Sequence, residues 1–159
     1  MKKVSFIGTG LMGFPMASNL LKAGIKLKVF NRSINKAEPL KEFGAEISNT
    51  LSSVVKDTDF TITMLTDDSA VEAIMSHPDF LNNLNSGSTV IDMSSIKPNT
   101  AIKYGNILKS KDINYLDAPV SGGTIGAEEG SLAIMVGGEQ RVFDNSKSIL
   151  NVMGNPTLV

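Results

Sequence analysis

The sequence predicts a doubly wound α/β fold, a mostly parallel sheet with helices on both faces, and three observations carry that expectation. An apolar run from Val4 to Leu21 breaks into glycines at Gly8, Gly10 and Gly13 and then resumes with helical spacing, which reads as strand, tight turn and helix. Short β-branched and apolar stretches, Phe60-Thr-Ile-Thr-Met-Leu65 the clearest, alternate with segments of helical periodicity along the whole chain. The 159 residues, 42% hydrophobic and 19% charged, fit one domain large enough to bury a core of its own.

Composition also excludes classes of function. A net charge of -1 gives neither a nucleic-acid surface nor a funnel for acidic substrates. With no cysteine there is no disulfide framework and no thiolate metal site, which suits the cytoplasm. No run of about 18 apolar residues occurs, so a membrane span is not expected.

The elements follow in order. After the first strand, turn and helix, Lys22-Ala-Gly24 closes the helix with a glycine in the post-helical position. Lys26 to Phe30 is a second strand and ends in Asn31-Arg32-Ser33. A helix is expected over 35–43, stopping at Gly44, and then a short extended piece over 45–47. Asn49 and Thr50 are candidate caps for a brief helix carrying Leu51, Val54 and Val55. Phe60 to Leu65 reads as a buried parallel strand. Asp67 and Asp68 are carboxylates at the start of a helix over 70–75, and Pro78 opens another through Leu84. A strand at 89–92, a helix from Pro98 to about Leu108, and a strand at 113–118 come next. Residues 122–130 are a glycine-studded loop or short helix, 132–136 a strand, and 142–153 a helix. Gly154-Asn155-Pro156 reads as a turn before a β-type run at 157–159, an ending expected of a truncated polypeptide.

In sheets of this kind ligands sit where the carboxyl ends of the strands open into a crevice, so the residues just past each strand are the informative ones. The three glycines let the chain reverse at Gly8, let a diphosphate approach bare backbone at Gly10, and let the helix pack closely at Gly13. Past the second strand, an enzyme for the unphosphorylated dinucleotide would carry an acid about 20 residues beyond the glycines. Here the residue is Asn31. It removes the charge that would repel a 2′-phosphate, and Arg32 and Ser33 add donors suited to one.

Met64, Leu65 and Thr66 line the cofactor through their backbone or are core and turn. Ser94 and Ser95 are donors to a cofactor or substrate, or helix caps. Ser121, Gly122 and Gly123 combine a small hydroxyl with two bare N–H groups, a cradle for a carboxylate. His77, the sole histidine, is read as a surface residue without an acidic or hydroxyl mate, and no metal site is expected.

These motifs together resemble the β-hydroxyacid dehydrogenases, the group containing 3-hydroxyisobutyrate dehydrogenase and tartronate semialdehyde reductase and, more distantly, 6-phosphogluconate dehydrogenase. The resemblance rests on residues 7–20, Asn31-Arg-Ser33, residues 90–95, Asp117-Ala-Pro-Val-Ser-Gly-Gly123 with Gly126, Ala127 and Gly130, and Ile134-Met-Val-Gly-Gly138. It implies a Rossmann-type NADP-binding domain over residues 1–159 that feeds a helical C-terminal domain absent from this chain. Hydride would pass between a nicotinamide and a small 3-hydroxy acid or its semialdehyde.

By that resemblance Gly8, Gly10, Leu11 and Met12 serve the diphosphate, Asn31, Arg32 and Ser33 the adenosine phosphate, Met64 and Leu65 the next cofactor contact. Ser95 serves the nicotinamide side, and Ser121, Gly122 and Gly123 the substrate carboxylate. The cofactor implied is NADP(H) in preference to NAD(H), with no nucleic-acid or membrane partner and room for a homo-oligomer in the full-length enzyme. The family's acid/base lysine lies beyond Val159, so no catalytic residue is assigned here. The chain alone is expected to lack turnover. The competing reading is a dinucleotide-binding module with no turnover of its own.

Overall fold

The computed structural model describes residues 2–159. Six parallel strands form the main sheet: β1 (Lys3–Ile7), β2 (Lys26–Phe30), β3 (Glu46–Ile47), β4 (Phe60–Thr63), β5 (Thr89–Asp92) and β6 (Asn114–Asp117), in the order β3-β2-β1-β4-β5-β6. The order reverses at β1, so the crevice between the ends of β1 and β4 is the switch point where such sheets take ligands. A second sheet, β7 (Val120–Ser121), β8 (Leu132–Val136) and β9 (Gly154–Leu158), has β7 antiparallel and β9 parallel to β8. The two sheets meet at one antiparallel bridge, Asp117 to Gly137.

Because successive strand residues point to opposite faces, the sheet buries two cores. Phe6, Leu27, Val29, Ile62, Ile91 and Leu116 pack against α1 (Gly13–Lys22), α6 (Gly123–Glu129) and α7 (Gln140–Met153). Ile7 and Val90 face the other way, against α2 (Leu51–Val55), α3 (Asp68–Met75), α4 (Pro78–Leu81) and α5 (Pro98–Ser110). Fully burying side chains of this size contributes roughly 1.5–3 kcal/mol each.

Two expected elements and the surroundings of one side chain differ. The helix over 35–43 is two 3₁₀ turns, Ile34–Lys36 and Glu38–Phe43, because Pro39 has no N–H to continue a helical ladder through the segment. Residues 154–156 are strand and not turn. Gly154 pairs with Leu132, and Pro156 sits on an edge strand of the small sheet, where a missing donor is tolerated. His77 has an acidic neighbour after all, since its Nδ1 accepts the N–H of Asp79 at 3.1 Å to cap α4 and lies 3.8 Å from the Asp79 carboxylate.

Candidate functional site

The glycine turn is built from close packing on two sides and open space on the third. A Cβ at Gly8 (φ +105°) would strike the Met64 carbonyl, and one at Gly13 would strike the Gly8 carbonyl, with the Phe6 ring 3.3 Å away. A Cβ at Gly10 would meet nothing within 4 Å. So Gly8 and Gly13 bring strand and helix together, and Gly10 leaves its approach free. No side chain caps α1, whose N-cap is Met12; the Phe14 N–H already donates to the Gly10 carbonyl at 3.0 Å and Pro15 has no N–H, which leaves the N–H groups of Leu11, Met12 and Gly13 for an anion. The Thr9 hydroxyl beside them is buried and unpartnered. Bare backbone, an uncapped helix start and an orphan hydroxyl fit a diphosphate.

A crevice of about 300 Å³ runs from this turn across the ends of β1, β2 and β4. It brings together Gly8, Gly10, Asn31, Arg32, Ser33, Met64 and Leu65 from the residues singled out in the sequence, closed on one side by Ala70, Ala73 and Ile74 of α3. Sequence reading missed Lys36, which lines the same crevice. Helical spacing does not relate it to Arg32, which precedes the 3₁₀ turn Ile34–Lys36, so the sequence carries no local signal for it. Asn31 joins the turns: Oδ1 accepts the Thr9 N–H at 2.9 Å and Nδ2 donates to the Ser33 carbonyl at 2.9 Å.

The other predicted residues lie outside this crevice. Leu11 is exposed in a neighbouring groove along α1, and Met12 packs partly buried against the core. Ser95 is exposed past β5, whereas Ser94 is buried. The Ser94 hydroxyl accepts the Leu65 N–H at 2.8 Å, which makes Ser94 a brace between two strand ends. Ser121 ends β7, Gly122 is the N-cap of α6 and Gly123 its first residue; all three are exposed, with the glycines at φ +138° and +63°.

Two acids, Asp92 and Asp117, close β5 and β6 side by side. Asp92 accepts the Thr63 hydroxyl at 2.9 Å and the Ser94 N–H at 3.1 Å through Oδ1, while Oδ2 is buried without a partner. Burial raises its carboxyl above the ordinary range, opposed in part by the bonds from Ser94 and Thr63. Its register partner Asp117 is pushed up to about 6 by burial and by the Asp92 charge. The Tyr115 phenol is pushed upward by burial and by both acids. Among the described residues no group of three or more His, Asp and Glu could hold a metal ion, and no helix is long and apolar enough to cross a membrane.

Residues 3–159 match the family described as the NAD binding domain of 6-phosphogluconate dehydrogenase. The chain belongs to this family. Family membership makes it an NAD(P)-binding domain, in agreement with the open glycine turn. It is 39% identical over 153 residues to 2-(hydroxymethyl)glutarate dehydrogenase of Eubacterium barkeri, covering 96% of this chain and 51% of that protein. It is 40% identical over 159 residues to 2-hydroxy-3-oxopropionate reductase of Escherichia coli, covering 99% and 54%. Among solved structures it resembles Mycobacterium tuberculosis 3-hydroxyisobutyrate dehydrogenase with L-serine, at a TM-score of 0.95 and 30% identity, covering 99% and 54%. The chain spans about half the length of the curated relatives it matches.

Proposed function

We propose that this chain is the NADP(H)-binding half of an oxidoreductase that moves a hydride between nicotinamide and a small 3-hydroxy acid or its semialdehyde. The observation that carries the reading is the crevice in which a bare glycine turn meets Arg32, Ser33 and Lys36 with no acid at position 31. When bound, the dinucleotide supplies the hydride donor or acceptor. The chain's own part is to hold it. Backbone N–H groups at Leu11 and Met12, in the turn just before α1, meet the diphosphate, and Arg32, Ser33 and Lys36 meet the 2′-phosphate as charged and neutral donors. Met64 and Leu65 border the adenosine side, and Ser95 offers a hydroxyl toward the nicotinamide.

Ser121, Gly122 and Gly123 offer a hydroxyl and two N–H groups to a substrate carboxylate. The substrate class is supported by the names of the relatives, which are dehydrogenases and reductases of small hydroxy acids and an oxo acid. The reading extends to a cytoplasmic enzyme whose remaining helical domain carries the acid/base lysine. General acid help of that kind contributes roughly 10²–10⁴-fold.

Loss of reduced-nicotinamide absorbance with tartronate semialdehyde tests this. The 159-residue chain should bind NADPH without turnover, and joining it to a helical domain of the family with its lysine should produce turnover. Rapid turnover by the short chain would contradict the assignment of the acid/base. A joined protein that binds but never turns over would favour a binding module.

A further inference from the structure

We propose that Asn31 is a positioning residue that sets the preference for a 2′-phosphate by holding the Arg32-Ser33 turn, an inference that rests on the NADP(H) reading above. In that reading so far, position 31 matters for the charge it lacks. The geometry gives its carboxamide a task of its own. The Gly8 N–H donates to the Phe30 carbonyl at 3.0 Å, and one residue on, the Thr9 N–H donates to Asn31 Oδ1 at 2.9 Å. The side chain therefore extends the β1–β2 ladder by one rung, after the backbones have parted.

Its Nδ2 donates to the Ser33 carbonyl, which also accepts the Lys36 N–H at 3.0 Å. That carbonyl is a node. Arg32 lies between Asn31 and the node, and the turn carrying Lys36 starts from it, so all three donors of the crevice hang from one carboxamide. One lone pair of Oδ1 and one N–H are committed to main chain, which fixes the plane of the carboxamide and leaves its second N–H and second lone pair for a ligand.

An aspartate would keep the bond from Thr9 but turn a carboxylate oxygen toward the Ser33 carbonyl, two acceptors with no proton between them. The Ser33 node and an acid at position 31 thus exclude each other on geometric grounds, apart from any repulsion of phosphate.

The test combines binding with a readout on the ligand-free protein. NADPH and NADH affinities are measured for wild type, Asn31→Ala, Asn31→Asp and each substitution with Arg32→Ala, and amide hydrogen exchange is followed at Thr9 and Lys36. Asn31→Ala should expose both amides and cost NADPH about tenfold more affinity than NADH, and with Arg32→Ala it should shift the ratio no further. Asn31→Asp, which keeps the ladder rung if the alanine variant fails to fold, should retain protection at Thr9, lose it at Lys36 and lose the preference.

Equal losses for the two nucleotides would make Asn31 a direct ribose contact or a simple brace and overturn the inference. So would a ratio shift that persists beside Arg32→Ala, or an aspartate variant that keeps both Lys36 protection and the preference. A wild-type protein that protects both amides yet prefers neither nucleotide overturns the NADP(H) reading and the inference together, with the hydrogen bonds themselves intact.

Discussion

Asp68, in the first turn of α3, accepts the hydroxyl of Thr100, in the first turn of α5, at 2.7 Å. The same oxygen accepts the Lys97 N–H at 3.0 Å, and Lys97 is the N-cap of α5 with no capping side chain of its own. α5 therefore borrows its cap from α3, and the loops past β4 and β5, which carry Leu65 and Ser95, are fastened together from outside.

These bonds, the Lys97 N–H first and the Thr100 hydroxyl next, hold the Asp68 carboxyl below its ordinary 3.8. A lowered folded-state value means stabilisation that is present above 3.8 and is lost as pH falls through the folded value. Asp68→Ala should lower the melting temperature by a few degrees at neutral pH and flatten this acid-side loss. Thermal denaturation from about pH 7 to about pH 3 checks both, and an unchanged acid limb would mean that the borrowed cap contributes nothing.

Asp117 has the opposite sign. Its carboxyl is pushed from 3.8 up to about 6, so its contribution is fully favourable below 3.8, declines as pH rises to about 6 and is level above. Asp117→Asn should remove that decline and stabilise the protein at neutral pH by roughly 1 kcal/mol, discounted because the group is half open to solvent. Urea titrations at about pH 4 and pH 7 measure it; a variant no more stable than wild type at neutral pH would contradict the assignment.

The glycines separate fold from binding. Gly10→Val places its side chain in open space, so circular dichroism should stay native while NADPH affinity falls at least about a hundredfold. Gly13→Ala instead drives a methyl into the Gly8 carbonyl and should destabilise the domain before any ligand is added. A Gly10→Val protein that binds normally would reduce the motif to a turn.

Most of the fold was legible because its signals are local. Ile62 and its neighbours in 60–63 and Val90 in 89–92 lie in apolar and β-branched runs bounded by polar turns, and Gly8, Gly10 and Gly13 announce the turn by spacing alone. What depends on distant partners was not legible. Nothing near Gly154 in sequence says that Leu132 will pair with it, nor that Pro156 will fall on an edge where it needs no partner.

Lys36 is not legible for a related reason, since an expected helix over 35–43 hides the separate 3₁₀ turn Ile34–Lys36 that carries it to the crevice just after Arg32. Asn31 was noted for the acid it replaces. Its bonds to Thr9 and Ser33 require two turns 22 residues apart to lie side by side, and only the folded sheet brings them there.

The measurement that bears most directly on the cofactor site is titration calorimetry of the wild-type chain and Arg32→Ala with NADPH and with NADH. A charge-assisted contact to the 2′-phosphate contributes about 1.5–3 kcal/mol, so wild type should bind NADPH roughly ten- to a hundredfold more tightly than NADH, and Arg32→Ala should erase most of that difference. Equal affinities in the wild type, or a preference that survives loss of the guanidinium, would contradict the assignment of this crevice to NADP(H).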